Sequence, residues 1–357
     1  MDAPVRDVPR GDPRRESRER EGRLTPEPPA AQPEAIQPEP AGSGLEHLGR
    51  RLLIPLALGL LALIGLVLVA DARELAGRLR DFDLALLVPV LGLSLVNYAL
   101  RFVRWELYLR ALGVRLARAR SLAVFLVGFL LSVTPGKAGE LGKAWLVREL
   151  GGGPALRVVP AVVAERVTDL LGVLVLLALG ALPFPGGRWI AAAGLAAVAV
   201  AVLLLTWQRG ADLLFRLLER LPVVGPRVHV LSELYGTLRR LLSPGLLAMA
   251  LALAVPAWGA EGVGFFLVVR EYAPQAGLLP AIFNYTASTC LGSLSMLPGG
   301  LLAAEGALTA LLDAQGLDTA AAASATLIIR AATLWFAVLL GLLALPYVLR
   351  RLSARRG

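Results

Sequence analysis

Nine ionisable side chains in this sequence sit within or beside stretches that are otherwise apolar: Lys137, Glu140, Lys143, Glu165, Arg166, Asp169, Glu261, Glu305 and Arg330. At membrane depth each charge costs about 2.5–3.5 kcal/mol on insertion scales, so each requires a partner or a task. Arg166 and Asp169 are three residues apart and can pair on one helix face. Glu140 and Glu305 follow Pro135-Gly136 and Pro298-Gly299-Gly300. Helices beginning after those breaks offer unpaired N–H groups and a positive dipole end, which suit a phosphate; the alternative is that glycine merely permits a turn. Arg104, Lys137, Arg166 and Arg330 are the candidates to contact an anionic headgroup. Glu140, Asp169 and Glu305 are the candidates to balance charge or couple protons, with Gly136, Gly299 and Gly300 contributing backbone. Two other uses of these charges stand beside that one: structural ion pairing, and acid–base work by Glu165 and Asp169 in a membrane-embedded transferase.

Metal and redox chemistry find no support. The chain has one cysteine, Cys290, and two histidines, His47 and His229, so no His/Cys cluster exists to hold a metal. No nucleotide motif occurs, and neither a cofactor nor a catalytic residue is expected.

The elements that position these charges follow from composition. The 357 residues are 56% hydrophobic and 18% charged, with a mean hydropathy of +0.66, well outside the usual range of soluble domains. The chain has a net charge of +9, and its basic residues lie mainly in the N-terminal region and beside apolar spans rather than on a soluble module. Anionic lipid is therefore the expected partner, and nucleic acid is not. Residues 1–44 are rich in Pro, Glu and Arg and cannot offset their ordering entropy. A disordered cytoplasmic tail over 1–50 and a membrane domain over 51–357 are expected. The first apolar run begins at Leu52 behind Arg50 and Arg51 and lacks a small-residue cleavage pattern, so it reads as a retained span.

A spanning helix needs about 20 mostly apolar residues. Six stretches qualify: 52–70, 84 to about 105, 158–182, 189–207, 246–269 and about 320–347. Two more, 121–133 and 279–297, end at the Pro-Gly breaks and read as re-entrant helical hairpins buried in protein. Arg101, Arg104, Arg110, Arg115, Arg118 and Arg120 close the second span; further arginines follow the fourth and sixth. By the positive-inside rule both termini are cytoplasmic. Trp189 and Trp207 bracket the fourth span as interfacial aromatics do. Between 211 and 242, Leu213, Leu214, Leu217, Leu218 and Leu221 share a helical face, with Arg216, Glu219 and Arg220 elsewhere. That basic amphipathic pattern suits the cytoplasmic leaflet.

The order span, hairpin, glutamate-bearing short helix, span occurs twice, over about 84–182 and 246–347. Pro135 precedes Arg166 by 31 residues and Pro298 precedes Arg330 by 32. The arginine distribution makes the copies enter from opposite sides. An all-α integral membrane protein is thus expected, with six full spans and two re-entrant hairpins arranged as an inverted repeat, an architecture common among secondary transporters.

Four stretches carry a family resemblance: RFVRWELYLRALG at 101–113, TPGKAGELGKAWLVREL at 134–150, AERVTDLLG at 164–172 and LPGGLLAAEGALTALL at 297–312. They resemble the flippase-like family that includes the transmembrane region of lysylphosphatidylglycerol synthases. At Leu302 the chain departs from the family pattern, which more often looks like a third glycine. The resemblance implies movement of a phospholipid or polyprenyl-linked headgroup between leaflets of the inner (plasma) membrane, without enzyme activity. No soluble aminoacyl-transferase domain of the kind those synthases carry follows the sixth span, so synthesis of a lysyl lipid by this chain alone is not expected. The rival reading is a membrane subunit that docks a soluble synthase or glycosyltransferase.

Overall fold

The computed structural model describes residues 72–134, 139–221, 225 and 228–356. The expected tail, the first span at 52–70, and Gly136 and Lys137 lie outside these residues. Among the described residues every regular element is a helix.

Helix α1, Ala72–Arg80, precedes a turn at Leu84–Leu86 capped by Asp83, whose carboxylate accepts from the Ala85 N–H at 2.9 Å. That turn leads into α2, Leu87–Ala111. Helix α3 follows at Arg118–Leu131, α4 at Gly142–Glu149 and α5 at Ala155–Ala181. Helix α6, Gly187–Thr206, is the fourth expected span. The amphipathic segment forms α7, Gln208–Leu218, and α8, Val228–Leu241; Leu213, Leu214 and Leu217 of α7 are exposed. The second copy comprises α9, Pro244–Tyr272, α10, Leu278–Leu294, and α11, Ala303–Asp313. Helix α12, Thr319–Arg330, then passes through a wide π turn at Ala331–Trp335 into α13, Phe336–Arg356.

Among the described residues four helices are long and apolar enough to cross a membrane: Leu84–Ala111, Gly187–Thr206, Pro244–Tyr272 and Thr319–Ala354. Helix α5 has 27 residues but carries Glu165, Arg166 and Asp169 near its middle. Helices α3 and α10, at 14 and 17 residues, rise only about 21 and 25 Å, short of the ~30 Å hydrocarbon core. Each stops in the same way. Ser132 and Ser295 return their hydroxyls to the Phe129 and Gly292 carbonyls, both at 2.7 Å, satisfying groups that the helix end leaves free.

The second span is longer than the sequence suggests. Arg101 and Arg104, expected to close it as loop cations, lie inside α2 and are buried. A guanidinium on an apolar helix marks a loop only if nothing pairs it, and Asp169 of α5 pairs both.

The two stretches read from sequence as copies, 84–182 and 246–347, exchange contacts. The short helix of the first, α3, packs on α13 of the second, and α10 of the second packs on α5 of the first, while α2 and α9 pack on each other. Glycine permits both exchanged contacts. A Cβ on Gly180 of α5 would lie 2.7 Å from the Phe283 nitrogen of α10, and one on Gly341 of α13 would lie 2.8 Å from the Leu126 carbonyl oxygen of α3.

The reversal between α10 and α11 is tight, with Gly299 and Gly300 at φ 62° and 68°. Leu302 immediately before α11 sits at φ 70°, ψ −52°, a strained conformation for a residue with a Cβ. Leu302→Gly should stabilise the protein by about 1 kcal/mol by relieving that strain, whereas Leu302→Ala, which keeps a Cβ, should not; thermal unfolding in detergent measures both.

Candidate functional site

Asp169 is the centre of the buried charge network. Its carboxylate receives Arg104 at 2.5 Å, Arg166 at 3.2 Å and Arg101 at 3.3 Å, and accepts from the Trp258 indole N–H at 3.1 Å. Those donors come from α2, α5 and α9. The pairing of Arg166 with Asp169 is the one their spacing of three allows.

Each of the two stretches read as copies contributes an arginine–glutamate pair. Arg166 Nε lies 2.9 Å from Glu140, on the turn before α4, and Arg330 Nε lies 2.6 Å from Glu305 in the first turn of α11. Arg330 also donates to the Gly299 carbonyl at 3.0 Å, which fixes the reversal between α10 and α11. Glu305 at a helix N-terminus is favoured by the dipole as well as by Arg330. The N-terminal end of α11, expected from sequence to face a phosphate, thus has its own carboxylate beside it.

Arg166, Arg330, Glu140, Gly299 and Gly300 line a central cavity of about 110 Å³, together with Tyr98, Arg101, Trp258, Glu261 and Tyr285. Both copies contribute to its wall. The volume admits a few waters or a compact charged group, so the acyl chains of a lipid would remain outside. Arg166 and Arg330 keep 26% and 16% of their side-chain surface exposed, against 1% for Arg104. Arg104 is therefore a partner of Asp169 behind the cavity and is sealed from it. Asp169 and Glu305 stand one layer back, each behind its arginine.

Several wall residues carry no local marker in the sequence. Arg101 stacks over Phe129 and Trp258, at 5.3 and 5.5 Å from the ring centroids. The phenol of Tyr98 donates to the Thr333 carbonyl within the π turn at 2.6 Å, and π turns often occur at functional sites. Tyr285 donates to Glu261 at 2.6 Å. The available signal was the spacing of Arg101 and Arg104, which places both on one face of α2. Among the described residues no cluster of His, Cys, Asp and Glu is arranged to hold a metal.

The family model for the lysylphosphatidylglycerol synthase TM region matches residues 54–341. The chain belongs to this family. It is similar to a UPF0104 membrane protein of Methanothermobacter thermautotrophicus, 24% identical over 335 residues that cover 85% of this chain and 96% of that protein. It is likewise similar to a UPF0104 membrane protein of Pyrococcus horikoshii, 24% identical over 316 residues covering 79% and 94%. With its apolar helices, this family member is a multi-pass membrane protein.

A further ion pair lies apart from the cavity wall. Lys143 of α4 meets Glu165 of α5 at 2.5 Å, and its ammonium sits 4.7 Å from the Trp105 ring centroid. Both side chains are almost fully buried. Removing one partner strands a charge, at a cost of about 3–5 kcal/mol. Lys143→Met and Glu165→Gln should each lose that much stability, and the double variant should recover most of it; unfolding of the four proteins in detergent completes the cycle.

Proposed function

We propose that this protein moves a lipid or lipid-linked anionic headgroup between the leaflets of the inner (plasma) membrane, with both termini cytoplasmic. The observation that carries this reading is the small cavity walled by Arg166 and Arg330, one arginine from each copy, each held by a glutamate of its own copy. Guanidinium groups suit a phosphate because they present several donors in a plane, and these two retain exposure toward the cavity. The cavity takes only the headgroup; the apolar tail of the substrate stays in lipid.

The re-entrant reading of α3–α4 and α10–α11 belongs to this proposal. Their first helices are too short to cross, and each packs against the closing helix of the other copy. An inverted repeat of this kind offers the cavity alternately to the two sides when the copies rock against each other. The exposed leucines of α7, flanked by Arg209, Arg216 and Arg220, fit the headgroup region of the cytoplasmic leaflet. The reading assigns no catalytic step to the chain.

Leaflet exchange of fluorescent phospholipids and of a polyprenyl-phosphate analogue in proteoliposomes tests the proposal. Wild type should exchange at least one of them, and the Arg166→Ala/Arg330→Ala double variant, reconstituted to the same level, should lose at least tenfold of the rate, the equivalent of about 1.4 kcal/mol. Absence of exchange by wild type for every anionic lipid tried would overturn it in favour of a subunit that docks a soluble synthase or glycosyltransferase.

A further inference from the structure

We infer that Glu261 is the proton-binding group of the central cavity, loading a proton from cavity water when an anionic headgroup enters and returning it to water when the headgroup leaves. This rests on the transport reading above and adds its coupling ion.

Glu261 lies on α9, is buried, and lines the cavity. Asp169, Glu140 and Glu305, the other carboxylates of the network, each have a guanidinium close by, at 2.5, 2.9 and 2.6 Å. Glu261 has no such ion pair among the described residues. Its hydrogen bond comes from the neutral phenol of Tyr285. The charged and titratable groups that act on it are Tyr98 and Arg101 from α2, Asp169 from α5, Tyr285 from α10 and Arg330 from α12, while Arg166 and Glu140, paired with each other, line the same cavity. Both cations are already engaged, Arg101 with Asp169 and Arg330 with Glu305 and the Gly299 carbonyl. Of the four carboxylates, the one without a guanidinium partner loses least on taking up a proton when the nearby charge changes.

The repeat supplies an internal comparison. Glu261 follows Asn97 by 164 residues, the spacing that also relates Arg330 to Arg166. Asn97 occupies the corresponding first helix, is buried, and donates to the Ala257 carbonyl at 2.9 Å. The fold therefore accommodates a neutral amide at one of the two related positions. Packing gives no reason for an acid at the other.

Charge balance points the same way. Among the described residues around the cavity, Arg101, Arg104, Arg166 and Arg330 stand against Glu140, Asp169, Glu261 and Glu305, so these eight groups are neutral when all are ionised. An entering anion would leave net negative charge in a medium of low polarity. Forming the O–H bond on Glu261 cancels one unit of it without breaking any ion pair. Anion and proton then bind together and travel in the same direction.

The test is exchange of the polyprenyl-phosphate analogue in proteoliposomes at varied pH and under an imposed pH gradient, for wild type, Glu261→Gln and Tyr285→Phe, alongside infrared difference spectra that follow protonated carboxyl groups. Wild-type exchange should fall by up to about tenfold per pH unit above the titration point of the carboxyl and follow the gradient. Glu261→Gln should be insensitive to both and lack one titrating carboxyl band. Tyr285→Phe, having lost the donor that favours the ionised form, should keep the dependence with its midpoint at higher pH; it carries the test alone should Glu261→Gln not fold. Wild-type exchange that ignores pH would overturn the proton site and leave transport standing. Wild type that exchanges nothing but shows the band lost in Glu261→Gln would overturn transport and leave the proton site standing, whereas absence of that band would overturn the site.

Discussion

The structure depends on one carboxylate. Asp169 receives three guanidinium groups and an indole N–H, and these donors belong to α2, α5 and α9. A carboxylate in an apolar interior is tolerated when opposing charges and hydrogen-bond donors surround it, and the same condition holds for Arg101 and Arg104, which would otherwise be uncompensated charges on a long apolar helix. The ion pairs thus fix the rotation of α2 and α5 about their axes. That rotation turns Arg166 and Arg101 toward the cavity and buries Arg104 behind it. Hydrophobic packing alone sets no such direction, because α2, α5 and α9 are apolar over most of their circumference.

Several irregularities of the backbone border the same space. Gly299 and Gly300, both left-handed, and the positive-φ residues Met296 and Leu302 lie where α10 turns into α11, and the π turn begins directly after Arg330. Regular helices would carry their side chains past the cavity. The π turn instead supplies a carbonyl to Tyr98, and the reversal supplies one to Arg330. Local rules of helix formation are broken at the positions that shape the wall, as expected where a site sets the requirement.

The long helices were legible because length and apolarity suffice to identify them: α6 and α9 begin and end within a few residues of the stretches read from sequence. The charges that pair were visible in the sequence as residues recurring in one order, Glu140 before Arg166 and Glu305 before Arg330, but which glutamate meets which arginine is seen only in the fold. Arg101 and Arg104 were misplaced because Asp169 is more than sixty residues away, and charge by itself does not distinguish a loop from a buried pair. Tyr98, Trp258 and Tyr285 were invisible for a related reason. An aromatic residue on an apolar helix reads as packing until a partner on another helix gives its polar atom a role.

The exchange of short helices between the copies bears on how the chain is made. Translation delivers α3 long before α13, so α3 waits for its partner until all the helices between them have left the ribosome. The close approach at Gly341 and Leu126 is therefore among the final contacts to form, whereas α10 finds α5 already in place. The first copy is an unfinished half for most of synthesis, and its buried arginines and carboxylates must neutralise one another before the second copy arrives to enclose them. The ion pairs of α2 and α5 involve only residues of that half. They are contacts that this segment can make by itself before its cover is built.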